Sequence, residues 1–119
     1  MLNIETAVIT FLKEHLDVPV SASVPASRPT EFVTVERVGG PEGDGLIDYP
    51  RIAIQAWSTS RSRAASLLST VVSVMHDVTQ VPGITKSIRS GFYNWPDLDT
   101  NTARYQATYE MTTNHTKGL

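Results

Sequence analysis

At 119 residues the chain is long enough for one ordinary core and too short for a comfortable second domain. Hydrophobic residues make up 40% and charged residues 18%, globular values that argue against wholesale disorder. The absence of cysteine excludes a disulfide framework, a thiolate zinc site and a cysteine nucleophile together. The formal net charge of −2 hides unlike halves: residues 1–50 hold three basic residues against eight acidic, and residues 51–119 hold seven against four. Folding either mixes the halves into one ordinary surface or leaves unlike faces that attract one another between subunits. The second outcome suits heterologous contacts, which close into rings or run on as filaments.

The opening segment MLNIETAVITFLKEHL has no basic run, and Glu5, Lys13 and Glu14 interrupt its apolar positions. Neither a signal peptide nor a membrane span is expected. Ile4, Val8, Phe11, Leu12 and Leu16 instead fall on one stripe of a helix, with Asn3 as N-cap and Pro19 beyond its end. Residues 18–24 predict a short, mostly polar edge strand, because the proline bars a central place, and 25–31 a loop. Residues 32–38 alternate, with Val33 and Val35 against Thr34 and Glu36, and so predict a strand. The segment GGPEGDG that follows has four glycines in seven residues and predicts a mobile loop over 39–47. A second strand over 49–57 alternates Ile52, Ile54 and Ala56 against Arg51, Ala53 and Gln55, which suggests an antiparallel hairpin with the first.

Ser58, Thr59 and Ser60 offer N-caps for the main core helix, predicted over 61–78 from Ala64, Leu68, Val71, Val72, Met75 and Val78. Val81-Pro82-Gly83 stops it. Residues 84–90 predict a polar strand, and 91–101 a turn-rich connection carrying Phe92, Tyr93 and Trp95. Residues 103–112 give the cleanest period of two in the chain, and from Asn114 onward a frayed tail is expected. The predicted fold is α+β in a single domain spanning 1–119. An antiparallel, at most mixed, sheet of about four strands carries two helices on one face, in the order helix, short strand, two strands, helix, two strands.

No constellation in the chain suits catalysis. His15 and His76 fall near predicted helix ends, where such rings suit the dipole, and His115 lies in the tail. Ser73, His76 and Asp77 share one helix at offsets that cannot align nucleophile, base and orienter. The glycine-rich loop lacks the Gly-Lys-Ser/Thr of a phosphate loop and carries Glu42 and Asp44, which would repel phosphate. With Asp48 these acids lack the spacing of a calcium loop. Nucleic-acid binding through the aromatics with Lys86 and Arg89 has no supporting motif in a chain of pI near 5.8. Asn114-His115-Thr116 matches the glycosylation sequon by chance. The expectation is a non-enzyme with no metal, no cofactor and no membrane association. Tyr93 and Trp95 either cap the end of the core or anchor a contact surface.

Taken in order, an N-terminal helix, R-P-x-x-F-V-T-V-x-R-x-G-G at 28–40 and D-Y-P-R-I-A-I-Q-A-W at 48–57 resemble the small tail terminator (tail completion) proteins of long-tailed bacteriophages. The closing Trp95-Pro96-Asp97-Leu98-Asp99 and Arg104-Tyr105-Gln106-Ala107-Thr108 are similar to the ending of such proteins from phages of actinobacteria. Tyr109 and Met111 depart from the aliphatic residues usual there. The resemblance implies a homo-oligomeric ring of six subunits that caps the finished tail tube and stops tube polymerisation. It also implies a surface for joining the head, with partners in the tail tube protein and the head–tail connector proteins. The place implied is the head-proximal end of the virion tail, assembled in the host cytoplasm, with phage DNA passing through the ring unrecognised. On this basis Glu42 and Asp44 are expected to order against a neighbour, and Arg51 to meet acids across a subunit boundary. Tyr93 and Trp95 would anchor a second contact, while Asp97 and Arg104 pair within the fold. The alternatives are a head–tail connector or neck subunit, and a small α+β module that binds a ligand or nucleic acid.

Overall fold

The computed structural model describes residues 3–41 and 45–114. Its elements run α1 (Ile4–His15), β1 (Val20–Ser21), β2 (Phe32–Gly39), β3 (Ile47–Asp48), β4 (Arg51–Ser58), α2 (Arg61–Met75), a 3-10 turn (Val78–Gln80), β5 (Ile84–Asn94) and β6 (Ala103–Asn114). Both helices start where the caps predict. The Asn3 side chain accepts the Thr6 N–H at 3.1 Å, and the Ser60 hydroxyl accepts the Arg63 N–H at 3.3 Å. His15 closes α1 and its Nδ1 lies 2.8 Å from the Phe11 carbonyl oxygen. The second helix ends at Met75, three residues before the predicted Val78, because the 3-10 turn keeps Val78 buried and so prolongs the apolar period past the helix.

The strands form one mixed sheet in the order β1-β2-β4-β6, with β5 on the far side of β6. β1 runs parallel to β2 and every other pair is antiparallel. Six strands replace the four expected, and the surplus lies in two-residue pieces. β1 is the short edge strand predicted within 18–24. β3 continues β4: Asp48 opposes Thr113 and Arg51 opposes Glu110, so both pieces meet β6 in one register. The ladder breaks at Tyr49-Pro50 because proline has no N–H to donate, although the Pro50 carbonyl still accepts the Met111 N–H at 3.0 Å. β5 runs four residues past its predicted end. Gly91, which opens the segment read as turn-rich, forms a bulge with Ser90, the register shifting between Arg89 and Gly91. Tyr93 therefore sits in a strand and not in a connection. Asn114, expected to open the tail, closes β6 opposite Ile47, and the remainder of that predicted tail lies outside the described residues.

Strand pairing sorts side chains onto two faces. Val33 and Val35 of β2, Ile52, Ile54 and Ala56 of β4, and Ala107, Tyr109 and Met111 of β6 join Val8, Leu12, Leu68 and Val71 of the helices in one buried core. Both helices lie on this face: α1 packs on α2, β1 and β2, and α2 on β4 and β6. The two sheet edges differ. Along β2 the Val33 N–H donates to the Pro19 carbonyl at 2.9 Å, and the Arg37 N–H to the Glu5 carboxylate of α1 at 2.7 Å. Among the described residues β5 pairs with β6 alone, with no strand on its outer side.

Two residues make the fold testable. Gly40 has φ +101°, and a Cβ there would fall 2.0 Å from the Tyr49 carbonyl oxygen and 2.8 Å from the Arg51 nitrogen. Gly40→Ala is expected to lower stability by roughly 2–4 kcal/mol in urea denaturation, with the slope unchanged. Burial pushes the Tyr109 hydroxyl up to about 12, against the nearby Arg89 charge, which pulls it down. A raised native pKa stabilises fully below the tyrosine's ordinary value of 10.0, and that stability drains away as pH climbs through about 12. Between those limits the wild-type chain should lose stability faster than Tyr109→Phe, as read by denaturation midpoints over an alkaline series.

Candidate contact surface

The face of the sheet turned away from the helices is built from four cross-strand rows, each fixed by register. Phe32, Trp57 and Arg104 oppose one another across β2, β4 and β6, and the Trp95 N–H extends the row by donating to the Arg104 carbonyl at 2.9 Å. Next to it stand Thr34, Gln55, Gln106 and Tyr93, one from each of β2, β4, β6 and β5. A third row holds Glu36, Ala53, Thr108 and Gly91, and a fourth Arg51, Glu110 and Ile88.

The first row stacks aromatic rings with guanidinium groups. Phe32 and Trp57 lie nearly parallel with centroids 5.3 Å apart, and both are buried although no helix covers them. Arg104 lies between two indoles, 4.8 Å from the Trp57 centroid and 4.4 Å from that of Trp95, while its Nε donates to the Trp95 carbonyl at 2.6 Å. Arg28 approaches Trp57 from the loop before β2, at 5.3 Å. Each such contact is worth about 0.5–2 kcal/mol, rising as water is excluded. Only a planar guanidinium can serve two rings and a carbonyl at once.

The second row is a hydrogen-bonded chain. The Trp57 Nε1–H donates to the Thr34 hydroxyl at 3.1 Å, and that hydroxyl to Gln55 Oε1 at 3.2 Å. Gln55 Nε2 donates to Gln106 Oε1 at 2.7 Å, and Gln106 Nε2 in turn to the Tyr93 hydroxyl. The chain spans four strands and ends at a ring that is 42% exposed. Thr34 and Gln106 are buried, so these groups are satisfied by one another in place of water. The third row is small by requirement: a Cβ on Gly91 would meet the Thr108 hydroxyl at 2.9 Å and the Tyr93 ring at 3.2 Å.

The hairpin continues beyond β5 and β6. Asp97 and Thr102 exchange backbone hydrogen bonds at 3.0 and 3.1 Å. The Asp97 carboxylate accepts from the Thr100 hydroxyl at 2.9 Å and the Asp99 N–H at 3.1 Å. The Thr100 hydroxyl above all holds Asp97 below the usual carboxylate range. Its contribution is present above that range and is lost as pH falls through the lowered value. Arg28 makes the direct ion pair with Asp97, at 4.0 Å, while the Arg104 charge also helps hold the Asp97 carboxyl down, so the pairing with Arg104 expected from sequence is electrostatic and without a direct contact. Both arginines nonetheless tie this end of the hairpin to the rest of the fold.

Of the residues singled out in sequence, Tyr93 and Trp95 come together, with centroids 6.5 Å apart and exposures of 42% and 47%. Leu98, 85% exposed, sits just beyond them at the tip. Arg51 shares the face but stands six residues along β4 from Trp57, roughly 20 Å away. It pairs within its own chain, with Glu110 at 3.0 Å, an exposed bridge worth about 0–1 kcal/mol that a partner could readily exchange. Glu42 and Asp44 lie outside the described residues. Sequence reading passed over Phe32, Trp57 and the glutamines as contact residues and gave Arg104 only a pairing with Asp97. Their signal was parity, since all of them fall on the alternate positions of strands whose other face makes the core.

A second exposed apolar group, Val38, Leu46 and Tyr49, gathers where β3 meets the far end of β6. Along β6 it lies some ten residues from the Trp95 end, roughly 33 Å, within a molecule 43 Å long. The unlike halves of the chain also separate in part. The sheet order sets α1, β1 and β2, with one net negative charge between them, at one edge and β5, with Lys86 and Arg89, at the other. Glu31 crosses between the halves, bound by Arg63 at 2.8 Å and by the Ser58 hydroxyl at 2.8 Å, and Arg63 chiefly holds its carboxyl below the usual range.

Thr34→Val removes the shared acceptor of the polar row. It is expected to cost about 1–3 kcal/mol by stranding the Trp57 N–H, with a shift in tryptophan emission under native conditions. No family model matches the chain, and no curated protein matches it in sequence.

Proposed function

We propose that the chain is a tail terminator of a long-tailed bacteriophage, a subunit of a ring that seats on the completed tail tube and presents its other side to the head. The observation that carries this reading is the two-ended distribution of contact residues. Trp95, Tyr93 and Leu98 lie exposed at the turn end of the β5–β6 hairpin, Val38, Leu46 and Tyr49 lie exposed in and around β2 and β3 toward the opposite end of β6, and Ile88 is exposed between them on β5. Support comes also from the order and spacing of R-P-x-x-F-V-T-V-x-R-x-G-G, D-Y-P-R-I-A-I-Q-A-W and the closing Pro96-Asp97-Leu98-Asp99 segment.

A polymerisation stop must bind the last tube ring more favourably than another tube ring would, yet offer no copy of the tube's own growing surface. Two chemically different ends meet that demand. The aromatic end has the makings of an anchor: rings held by Arg104 and by the polar row lose little conformational freedom on binding, so more of the contact energy appears as affinity. The oppositely charged sheet edges suit a head-to-tail ring, in which the same two unlike surfaces meet at every boundary. Six subunits around a passage for DNA are part of this proposal, as are the tube and connector partners.

Light scattering with and without the tail tube protein tests it. The expected result is a species of about 79 kDa, six copies of a 13.1 kDa chain, or rings seated at tube ends by electron microscopy. Trp95→Ala should weaken tube capping at least about 30-fold, the loss typical of a central anchor, without lowering the denaturation midpoint of the free chain by more than a few degrees. A chain that stays at 13.1 kDa and leaves tube growth untouched would sink the reading and favour a neck subunit.

A further inference from the structure

A cavity of about 180 Å³ lies on the helix-covered side of the sheet, between the end of α2 and the β5–β6 ladder, away from the contact surface. Val72 and Met75 supply its apolar wall. The rest of the lining is His76, Thr79, Ser87, Arg89 and Tyr109, and no carboxylate is among them. Two hydroxyls here, those of Ser87 and Tyr109, are buried with no hydrogen-bond partner among the described residues. Tyr109 is 4% exposed, so its hydroxyl has no recourse to bulk water. A buried polar group left so destabilises the fold, and two at one cavity call for a common acceptor.

The charge points the same way. Arg89 stands opposite Tyr109 in the ladder, close enough for its charge to act on that hydroxyl, lies over the face of Phe92 at 5.5 Å, and forms no ion pair among the described residues. The last turn of α2 works against an anion, with the half charge of a helix C-terminus. That opposition is partly spent already, because the Val74 carbonyl accepts the Asp77 N–H at 3.1 Å. A full guanidinium charge with several O–H donors outweighs what is left. We propose that this cavity binds a small oxyanion of the phosphate or carboxylate class, with Arg89 as countercharge and the Tyr109 and Ser87 hydroxyls as donors.

The test is a titration of inorganic phosphate, and separately of acetate, against the whole chain at ionic strength held constant with chloride. Thermal midpoints and amide chemical shifts near Ser87 and Tyr109 are the readouts. The expected result is a saturable rise in midpoint with at least one of the two anions, phosphate alone or acetate alone assigning the class. Arg89→Gln, a surface change that leaves the core intact, should abolish saturation, and Tyr109→Phe should weaken it roughly five- to tenfold, the size of one hydrogen bond. Equal midpoints in phosphate, acetate and chloride would overturn the proposal by leaving water as the only occupant. So would a titration that saturates unchanged in Arg89→Gln.

Discussion

The register of β6 is the constraint on which the rest of this structure depends. Its twelve residues pair with β3 and β4 on one side and β5 on the other. A slip of one residue would turn Ala107, Tyr109 and Met111 out of the core and drive Arg104, Gln106, Thr108 and Glu110 into it. The interruption at Tyr49-Pro50 and the two bulges in β5 are accommodated around that register and do not alter it. Both helices pack against a surface that the β6 ladder has already sorted, and the contact face is the complement of the same sorting.

A sheet with helices on one side only usually leaves the other side wet, with short polar side chains. Here that side keeps Phe32 and Trp57 dry with no third layer among the described residues. Arginine stems and planes cover the rings, and a row of amides and hydroxyls carries hydrogen bonds across the strands next to them. Such a face combines apolar area with polar groups already oriented and satisfied, so contact with another protein would demand little further ordering. Flexible lysines in the same places would leave the indoles wetter and their orientation looser.

Much of the fold was legible because its periods are clean. Val33 and Val35, Ile52 and Ile54, and Ala107, Tyr109 and Met111 alternate without interruption, and Asn3 and Ser60 cap where local chemistry says they should. The misses have local causes. Gly91 carries the same signal whether it makes a turn or a bulge, so β5 seemed to end early. Val78 keeps helical phase while sitting in a 3-10 turn. The contact face was half legible: Tyr93 and Trp95 stand out as exposed aromatics, whereas Arg104 and Trp57 look like an ordinary surface charge and a strand end. Nothing in linear order shows that a guanidinium will settle between two indoles nine or more residues distant on either side. Nor does it show that Asp97 will find Arg28, some seventy residues earlier.

The two edges of the sheet bear on how copies could assemble. Amides along β2 are already answered by the Pro19 carbonyl and the Glu5 carboxylate, while β5 has an open flank. Joining subunits by strand addition around a circle needs two open strand edges on every copy, and among the described residues β5 offers a long one while the other edge is the two-residue β1. Two copies could zip β5 to β5 and would then leave only the short β1 edges among the described residues, which disfavours runaway fibres. The ring proposed above would therefore be sewn together mainly through side-chain surfaces, each sheet remaining a separate leaf.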